Sequence, residues 1–404
     1  MSILRAYKTE LDPNNVQRTA LLRHAGAARW AYNWGLCQKQ AARESGQKIP
    51  TAIDLHRKLN ALKKTDFPWL YDVSKCAPQE ALRNLDRAYG HFFRRCKDGV
   101  KKKGYPRFKS RKRGIGSFCL TGSIRVADAA LQLPRLGTLR LKERGYLPTQ
   151  DAKILGATVS ERAGCWFVSL QVEEEHPDPK PKDGEVLGID VGVKHLMVLS
   201  DGTVFENPKA LRIARQQLSR AQRVVARRCK GSANRRKAVH RVACLHYRIA
   251  CVRNDAIHKV TSAVIAKQPS VVVIESLNVA GMMQNHRLAR AVADASLAKI
   301  HRQLEYKAKW AGIKIVKADR WFPSSKMCSA CGVVKDVLSL NERMYVCAEC
   351  GLILDRDLNA AINLRNMAAS SAVTACGACV RPRLLGNGQG SRNQIPERTC
   401  VLDG

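Results

Sequence analysis

Two cysteine pairs of identical spacing constrain the fold of this chain more than any other feature of its sequence. The motifs "CSAC" at 328–331 and "CAEC" at 347–350 are separated by fifteen residues, and a glycine follows each of them. Two thiolates at this spacing face one ion from a tight turn, so two such turns complete a tetrahedral Zn²⁺ site. A redox or iron–sulfur role is the alternative. The predicted structural zinc ligands are Cys328, Cys331, Cys347 and Cys350.

The other cysteines are typical of a reducing compartment. The chain has 15 cysteines, an odd number that cannot be fully paired, and a third motif, "CGAC" at 376–379, has no second pair after it. We interpret that motif as incidental. The opening "MSILRAYKTELDP" has no signal-peptide core, and no apolar run approaches the roughly 18 to 20 residues of a membrane span. We therefore expect a cytoplasmic protein with no membrane partner.

The charge balance indicates the class of partner. Lys and Arg number 70 against 34 Asp and Glu, which gives a formal net charge of +36. Such a chain repels itself unless a polyanion neutralises it, so nucleic acid is the expected partner. Structural nucleic-acid binders are equally basic, and the charge alone does not predict an activity.

The densest basic segment is "RRCKDGVKKKGYPRFKSRKR" at 94–113, with eleven basic residues against one acid. Lys and Arg contact phosphates, and the interleaved aromatic rings can stack on bases. The alternative is a solvated charge run. We predict nucleic-acid contacts from Lys101, Lys102, Lys103, Tyr105, Arg107, Phe108 and Lys109.

A second basic region is predicted to be a helical hairpin. Residues 209–259 carry fifteen Lys or Arg and one acid, Asp255, and their apolar residues recur at helical spacing on both sides of "CKGSAN". One face of each helix should be buried and the other strongly basic. That basic face either contacts nucleic acid or serves only solubility.

The periodicity of apolar residues and one linker divide the chain into two domains. A strand-like opening and amphipathic helical stretches are followed, from 114 to 178, by short alternating runs that predict the strands of a small barrel or sheet. The linker "HPDPKPKDG" then separates these from a second domain that starts near residue 185. From about 368 the sequence loses periodicity, and we expect a poorly ordered tail.

Three acidic positions in the second domain suggest catalysis. Asp190 lies in an otherwise apolar strand, and Glu275 ends the β-branched strand "PSVVVIE". A carboxylate in such a place is costly to bury without a cation or a hydrogen-bond partner. A third acid, Asp355 or Asp357, begins the closing helix; these two lie about 200° apart around a helix, so only one can point into a shared site.

The order of elements would bring these acids together. We predict three strands, helices, a strand, a helix, a strand, the zinc insert and a final helix. Converging carboxylates hold hard divalent cations such as Mg²⁺, and two such ions promote hydrolysis of a phosphodiester. The sequence therefore predicts a metal-dependent nuclease.

The motifs "GYPRFK", "GIDVGVK", "VVVIESLNV", "WFPSSKMCSACG", "CAECG" and "DRDLNAAINL" occur in the order typical of one family. From residue 1 to about 367 the chain resembles the TnpB family of transposon-encoded nucleases, relatives of the type V CRISPR effectors. The resemblance implies an α/β fold: a wedge-like β-barrel interrupted by a helical recognition subdomain, then an RNase H-like RuvC nuclease domain with a zinc-ribbon insert. The implied segments are 1–20 (wedge-like strand), 21–105 (helical recognition), 106–180 (wedge-like barrel), 185–320 (first RuvC segment, with the basic hairpin at 207–259), 321–354 (zinc ribbon), 355–368 (second RuvC segment) and 369–404 (tail).

The resemblance also implies an activity and its residues. It implies an RNA-guided DNA endonuclease of prokaryotic cytoplasm that acts at the nucleoid, a monomer with one guide RNA derived from the transposon end. The RuvC acids, which would hold Mg²⁺, fall on Asp190, Glu275 and Asp357, leaving Asp355 as a cap or as a residue that supports the metal ligands. Lys75 and Gln79 are candidates for reading a short DNA motif next to the target.

Two other functions share some of this evidence. A DDE-type transposase has the same fold and metal chemistry, but its acids usually run Asp, Asp, Glu, whereas the order here is Asp, Glu, Asp. A DNA-binding or RNA-guided regulator without cleavage would explain the charge and the cysteines but would leave the three acids without a role.

Overall fold

The computed structural model describes residues 2–100, 102–148, 152–339 and 342–375. Its contacts divide the chain into two units, each treated separately below. The first unit comprises the residues up to Lys180 together with Pro208–Ala263 and Met282–Gly312. The second comprises Pro181–Asn207, Val264–Gly281 and the residues from Ile313 onward.

An antiparallel sheet of seven strands forms one layer of the first unit. In β7, for example, Trp166, Val168, Leu170 and Val172 alternate toward the core, as the sequence pattern predicts. The strands are β1 Ser2–Asp12, β2 Ser117–Leu120, β3 Arg125–Val126, β4 Ala130–Leu133, β5 Gly137–Leu141, β6 Lys153–Arg162 and β7 Cys165–Glu175.

The sheet has the order β2-β6-β7-β1-β5-β4-β3, and its strand pairs are antiparallel. The long central pair runs in register from Ser2 opposite Glu175 to Leu11 opposite Trp166. Within the described residues the edge strands β2 and β3 do not pair, so the predicted closure into a barrel is not confirmed.

Helices cover this sheet and share its core. Asn14 begins the first helix with a capping box, in which its side chain and that of Gln17 each accept the other residue's backbone N–H. One apolar cluster joins Leu21 and Leu82 of the helices to Phe118 and Val168 of the sheet. The predicted helical subdomain and barrel are therefore one packed body. The helices are α1 Asn15–Glu44, α2 Ala52–Leu62 and α3 Cys76–Lys97, with short 3₁₀ turns at Pro68–Asp72 and Arg111–Arg113.

The basic hairpin forms as predicted, but up to Ala263 it belongs to the first unit rather than to the second. The reason is side-chain packing: the Phe167 ring of β7 lies 5.7 Å from that of Tyr247, and the Cys244 thiol is 3.7 Å from the Ala163 carbonyl oxygen. Its helices are α4 Ala210–Arg227 and α5 Ala233–Ala266, followed later by α6 Val279–Met282, α7 Ala289–Ala295 and α8 Leu297–Ala311.

The second unit is built on a five-stranded sheet of order β10-β9-β8-β11-β12. The strands β8, β11 and β12 are parallel, and β9 and β10 extend the sheet as an antiparallel edge. The order of elements along the chain is the predicted one. The strands are β8 Gly184–Asp190, β9 His195–Leu199, β10 Val204–Glu206, β11 Pro269–Glu275 and β12 Lys314–Ala318.

A two-stranded ribbon and a final helix complete this unit. The strands β13 Met344–Val346 and β14 Ile353–Asp355 pair antiparallel, and α9 spans Arg356–Ala375. The helix thus continues seven residues past the predicted boundary at 368, and the "CGAC" motif lies outside the described residues. Within the described portion of the chain, no helix has both the length and the apolar character needed to cross a membrane.

Candidate functional site

Asp190 and Glu275 lie at the same edge of the second unit's sheet. Each is the last residue of its strand, and the parallel pairing of β8 with β11 sets Ile189 opposite Ile274, one residue before each acid. Parallel strands that end together present their carboxyl-terminal residues at one edge, where open α/β sheets bind ligands. The predicted convergence of these two strand acids is therefore a consequence of the sheet register.

A glycine in β8 allows helix α9 to lie close to this edge of the sheet. A Cβ atom on Gly188 would lie 2.0 Å from the Ala361 carbonyl oxygen, so only glycine lets α9 lie this close to β8. Gly188 is two residues before Asp190, and Ala361 is four residues after Asp357. The close approach of the two backbones therefore brings the first turn of α9 toward the strand acids.

The electrostatics of Asp190 reflect these neighbours. Burial, and then the negative charges of Glu275 and Asp357, raise the pKa of Asp190 well above its ordinary value, while Arg356 opposes the shift. A carboxylate whose charge is disfavoured by burial and by like charges gains most from a bound cation. This is the donor chemistry of a divalent metal site.

The acids are neighbours without being a compact cluster. Among the described residues, the only group of three or more His, Cys, Asp or Glu side chains with ligand atoms within 4.8 Å of one another consists of cysteines. A site for two ions about 3.5 to 4 Å apart needs more widely spaced carboxylates than a site for a single ion does.

Hydrogen bonds position two of the acidic side chains. The Ser324 hydroxyl donates to the Glu275 carboxylate. One carboxylate oxygen of Asp355 accepts the backbone N–H groups of Asp357 at 2.9 Å and Leu358 at 3.3 Å, which confirms Asp355 as the cap of α9. The side chain of Asp357 does not contribute to this capping.

The four predicted cysteines come together. The Sγ atoms of Cys328 and Cys350 are 3.6 Å apart, and those of Cys331 and Cys347 are 3.5 Å apart. These separations are close to the edge of about 3.8 Å in a tetrahedron with 2.3 Å Zn–S bonds, and all four are free thiols. The residues therefore fit a zinc ion.

The backbone of each knuckle explains the glycine that follows it. Gly332 and Gly351 adopt φ of +77° and +72°, a region that favours glycine, and their N–H groups donate to the carbonyls of Cys328 and Cys347. The backbone N–H groups of Cys350 and Glu349 lower the pKa of Cys347 to about 6, although burial opposes them. Although the backbone N–H groups of Val333 and Leu352 oppose the shift, burial and the neighbouring thiols raise the pKa of Cys331 and Cys350, so the lowered pKa is particular to Cys347 among these three thiols.

Two buried asparagines, which the sequence analysis missed, join the first knuckle to the acid-bearing helix. Asn359 accepts the Ser329 N–H at 3.0 Å and donates to the Met327 carbonyl at 2.7 Å. Asn363, one turn later, donates to the carbonyls of Ser324 at 2.8 Å and Met327 at 2.6 Å. Their signal in the sequence was a pair of polar residues at i and i+4 within the apolar run "LNAAINL".

The candidate nucleic-acid residues have mixed environments. Lys102, Lys103 and Arg107 are exposed, and Phe108 is 48% exposed, whereas Lys101 lies outside the described residues. Tyr105 is half-buried: its hydroxyl is 2.9 Å from that of Tyr89, and its ring packs edge-on against Tyr89 and Phe92. The Lys109 ammonium lies 4.0 Å from the centre of the Tyr32 ring.

Lys75 lines a positively charged cleft of the first unit. The cleft has a volume of about 650 Å³, and its lining includes Lys63, Lys75, Tyr71 and Arg135. Burial, and then the charges of Lys75 and Arg135, lower the pKa of Lys63. Gln79 is half-buried one turn after Lys75 on α3 and does not line the cleft. An anion bound here would relieve the mutual repulsion of the cations.

Known protein families match three segments of this chain. Family models match at residues 169–286 ("Probable transposase", the OrfB_IS605 family), 298–364 ("Cas12f1-like, TNB domain") and 1–48 ("Helix-turn-helix domain"). The chain's fold is similar to that in the "Cryo-EM structure of the Cas12f1-sgRNA-target DNA complex", with a TM-score of 0.55 at 14% identity over 90% of this chain and 99% of that one.

Two bacterial relatives match over nearly the whole chain. A protein of Streptomyces pristinaespiralis, named "Putative RNA-guided DNA endonuclease", is 38% identical over 99% of this chain and 98% of its own length. InsQ of Escherichia coli K12, which bears the same designation, is 31% identical over 94% of this chain and 96% of its own length. This chain belongs to the TnpB family, whose OrfB_IS605 model it matches.

Proposed function

We propose that this protein is an RNA-guided DNA endonuclease whose nuclease site is formed by Asp190, Glu275 and Asp357. The observation that carries the proposal is that Asp190 and Glu275 end two adjacent parallel strands, with the first turn of α9 close by, and that burial and then the charges of Glu275 and Asp357 raise the pKa of Asp190. The full-length relatives named as RNA-guided DNA endonucleases, and the Cas12f1-like fold, support it.

The proposed mechanism assigns a role to each component of the site. Asp190, Glu275 and Asp357 would hold divalent cations, and a bound Mg²⁺ would supply Lewis-acid stabilisation of the scissile phosphate. Ser324 orients the Glu275 carboxylate, and Asp355 fixes the start of the helix that carries Asp357. The four cysteines would hold a structural zinc that supports the same helix through Asn359 and Asn363.

The proposal includes the finer assignments that the TnpB resemblance implies. The second unit's sheet and α9 would be the RNase H-like RuvC domain, and the first unit would contain the wedge and recognition elements. A guide RNA from the transposon end would bind the basic segments of one protein monomer in the cytoplasm. Lys75, Gln79, Lys102, Lys103, Arg107, Phe108 and Lys109 would contact nucleic acid, together with Lys101, whereas Tyr105 would support this segment by packing.

The test begins with the RNA. The purified protein should retain a defined RNA that sequencing identifies, and the complex should cut DNA complementary to that RNA when Mg²⁺ is present. Asp190→Ala should reduce cutting to the level seen without a divalent metal while RNA retention stays unchanged. The matched control is Asp201→Ala, since Asp201 lies in the same unit in an exposed turn, paired with Lys267 at 2.8 Å.

Three outcomes would contradict the proposal. If Asp190→Ala cuts as fast as the parent protein, the site is wrongly assigned. If the parent protein retains its RNA but never cuts matched DNA, the protein is a guided regulator; if it retains no defined RNA, the guided function itself fails.

A further inference from the structure

Trp321 is exposed to an unusual degree for its residue type. Its exposed fraction is 80%, about twice that of Trp69 at 41%, the next most exposed tryptophan. Trp69 packs edge-on against Trp30, with ring centres 5.1 Å apart. An indole left in water at this level contributes little to folding, because the free energy of burying its apolar surface is not gained. The ring of Trp321 is therefore available to contact a ligand.

The loop that carries Trp321 is attached to the proposed nuclease site at both ends. It begins after Ala318, which pairs with Glu275 in the sheet and whose carbonyl accepts the Ser276 hydroxyl at 2.7 Å. It ends at Ser324, whose hydroxyl donates to the Glu275 carboxylate. The loop between these two anchors is only five residues long. Trp321 is thus in the middle of a short loop closed on a site acid.

The loop also has a defined internal conformation. The Asp319 carboxylate accepts the Trp321 N–H at 2.8 Å, and the Phe322 N–H donates to the Asp319 carbonyl at 3.2 Å. The half-buried Phe322 packs against the cluster of Val273, Ala318 and Leu364. Of two adjacent aromatic residues, one anchors the loop and the other faces solvent, so the exposure of Trp321 is imposed by the fold.

The charge around the ring suits a nucleic acid. The Arg320 guanidinium lies 5.1 Å from the centre of the Trp321 ring. Lys317 precedes the loop in sequence, and the Lys326 ammonium, which follows it, donates to the Asp336 carbonyl at 2.7 Å. Single-stranded nucleic acid is bound where an aromatic face for a base lies next to cations for the backbone. The bases of a duplex are already stacked on one another. A single exposed ring can therefore stack on a base only where the strand is unpaired.

We propose that Trp321 stacks on an unpaired base of the DNA strand that enters the nuclease site and thereby positions the strand beside Glu275. The inference rests on the proposed nuclease function and adds a binding subsite for a nucleobase to it. Trp321 is a positioning residue: it holds the strand while the acids act on the phosphate.

The test measures single-strand binding apart from cleavage. The protein–RNA complex is titrated in Mg²⁺-free buffer with an unpaired deoxythymidine oligonucleotide, and tryptophan fluorescence is recorded. Trp321→Ala should weaken binding roughly 5- to 100-fold, whereas Trp321→Phe should keep most of the affinity but lose most of the quenching that the oligonucleotide causes. Val337→Ala, which trims another exposed apolar side chain of the same unit (82% exposed), should change neither quantity.

Cleavage kinetics give a second readout. Trp321→Ala should raise the DNA concentration needed for half-maximal cutting more than it lowers the maximal rate. If Trp321→Ala binds and quenches like the parent, or if Trp321→Phe loses affinity as fully as Trp321→Ala, base stacking at Trp321 is refuted while the nuclease proposal stands. A parent protein that cuts no guide-matched DNA would instead contradict the nuclease proposal itself.

Discussion

The hydroxyl of Ser324 orients the carboxylate of Glu275. This hydroxyl donates to Glu275, and the Ser324 carbonyl accepts from Asn363 on α9, so the serine contacts both a strand acid and the helix that carries Asp357. A carboxylate that must share a cation with two others needs a fixed rotamer, and a hydrogen bond to one of its oxygens provides this. The serine is buried, so this bond is not exchanged with bulk water.

We predict that Ser324→Ala slows cleavage about 10- to 100-fold, because Glu275 loses its donor, without changing the amount of retained RNA. Ser324→Thr keeps the hydroxyl and should recover some of the rate. The measurement is the single-turnover cutting rate over a Mg²⁺ titration. A Ser324→Ala protein with the parent rate and the parent Mg²⁺ requirement would contradict the positioning role.

We expect His24 to make the stability of the first unit depend on pH. It is buried, its Nδ1 donates to the Ala20 carbonyl at 2.8 Å, and its Nε2 accepts the Ser74 N–H at 3.0 Å. Burial lowers the pKa of His24 below its ordinary value of 6.5. The unfolded chain then binds a proton at His24 more readily than the folded chain does. The stability that neutral His24 contributes is therefore complete above about pH 6.5 and is lost as the pH falls from there toward the lowered pKa of the folded state.

We therefore predict that the thermal unfolding midpoint falls between pH 7 and pH 5 and that His24→Gln makes this fall less steep. The exposed His286 is the matched control, and His286→Gln should leave the slope as in the parent. His56 and His258 also have pKa values lowered by burial, so some of the slope should persist in His24→Gln. An unchanged slope in that variant would rule out the role of His24.

At the scale of elements, the site depends on how closely α9 lies against β8. Local pattern predicts both elements, but the distance between them depends on the missing side chain at Gly188. Asn359 and Asn363 then hold the first cysteine knuckle on the same helix. The strand acid, the helix acid and the first cysteine knuckle are therefore linked through α9.

We predict that Gly188→Ala destabilises the protein by at least about 1 to 3 kcal/mol and abolishes cleavage, because the new methyl group displaces α9 and with it Asp357. The control is Gly90→Ala within α3, where a Cβ atom has no neighbour within 4 Å; removing a helical glycine there should stabilise by about 0.5 to 1 kcal/mol. The measurements are the free energy of unfolding in denaturant and the cleavage rate of each variant. Parent-like cutting by Gly188→Ala would show that the close approach is not needed.

At the scale of the whole molecule, positive charge is distributed over segments far apart in sequence. The net charge of +36 is not concentrated in a single tail, and exposed arginines such as Arg215, Arg220 and Arg223 cover α4. Phosphate contacts release counterions from the nucleic acid, so affinity should depend steeply on salt. An RNA bound through such contacts is held by its phosphate backbone rather than by its bases.

We predict that changing Arg215, Arg220 and Arg223 together to Gln lowers the slope of log affinity for the guide RNA against log salt by roughly 2 to 3. The control removes the same number of charges at paired lysines: Lys153 (with Glu173), Lys259 (with Asp255) and Lys267 (with Asp201). Both proteins have the same net charge. Equal slopes for the two would mean that net charge, rather than contact by α4, drives binding.

The sequence by itself determined the features that depend on local spacing. A knuckle needs two thiols and a glycine within five residues, and a strand shows its buried face by alternation, so the cysteine site, the order of strands and helices, and the positions of Asp190 and Glu275 were predictable. Helix geometry allowed only one of Asp355 and Asp357 to point into the site, and the TnpB resemblance assigned the cap to Asp355. In each case the physics acts between residues that are neighbours in the chain.

Only the tertiary structure decided what depends on packing between distant segments. Helical periodicity shows that α4 and α5 have a buried face but not that α5 packs through Tyr247 on β7, in the first unit. It does not distinguish Tyr105, packed against Tyr89, from the exposed Phe108, nor the half-buried Phe322 from the exposed Trp321. These differences are set by which surfaces meet when the chain collapses, and that information is spread over the whole sequence.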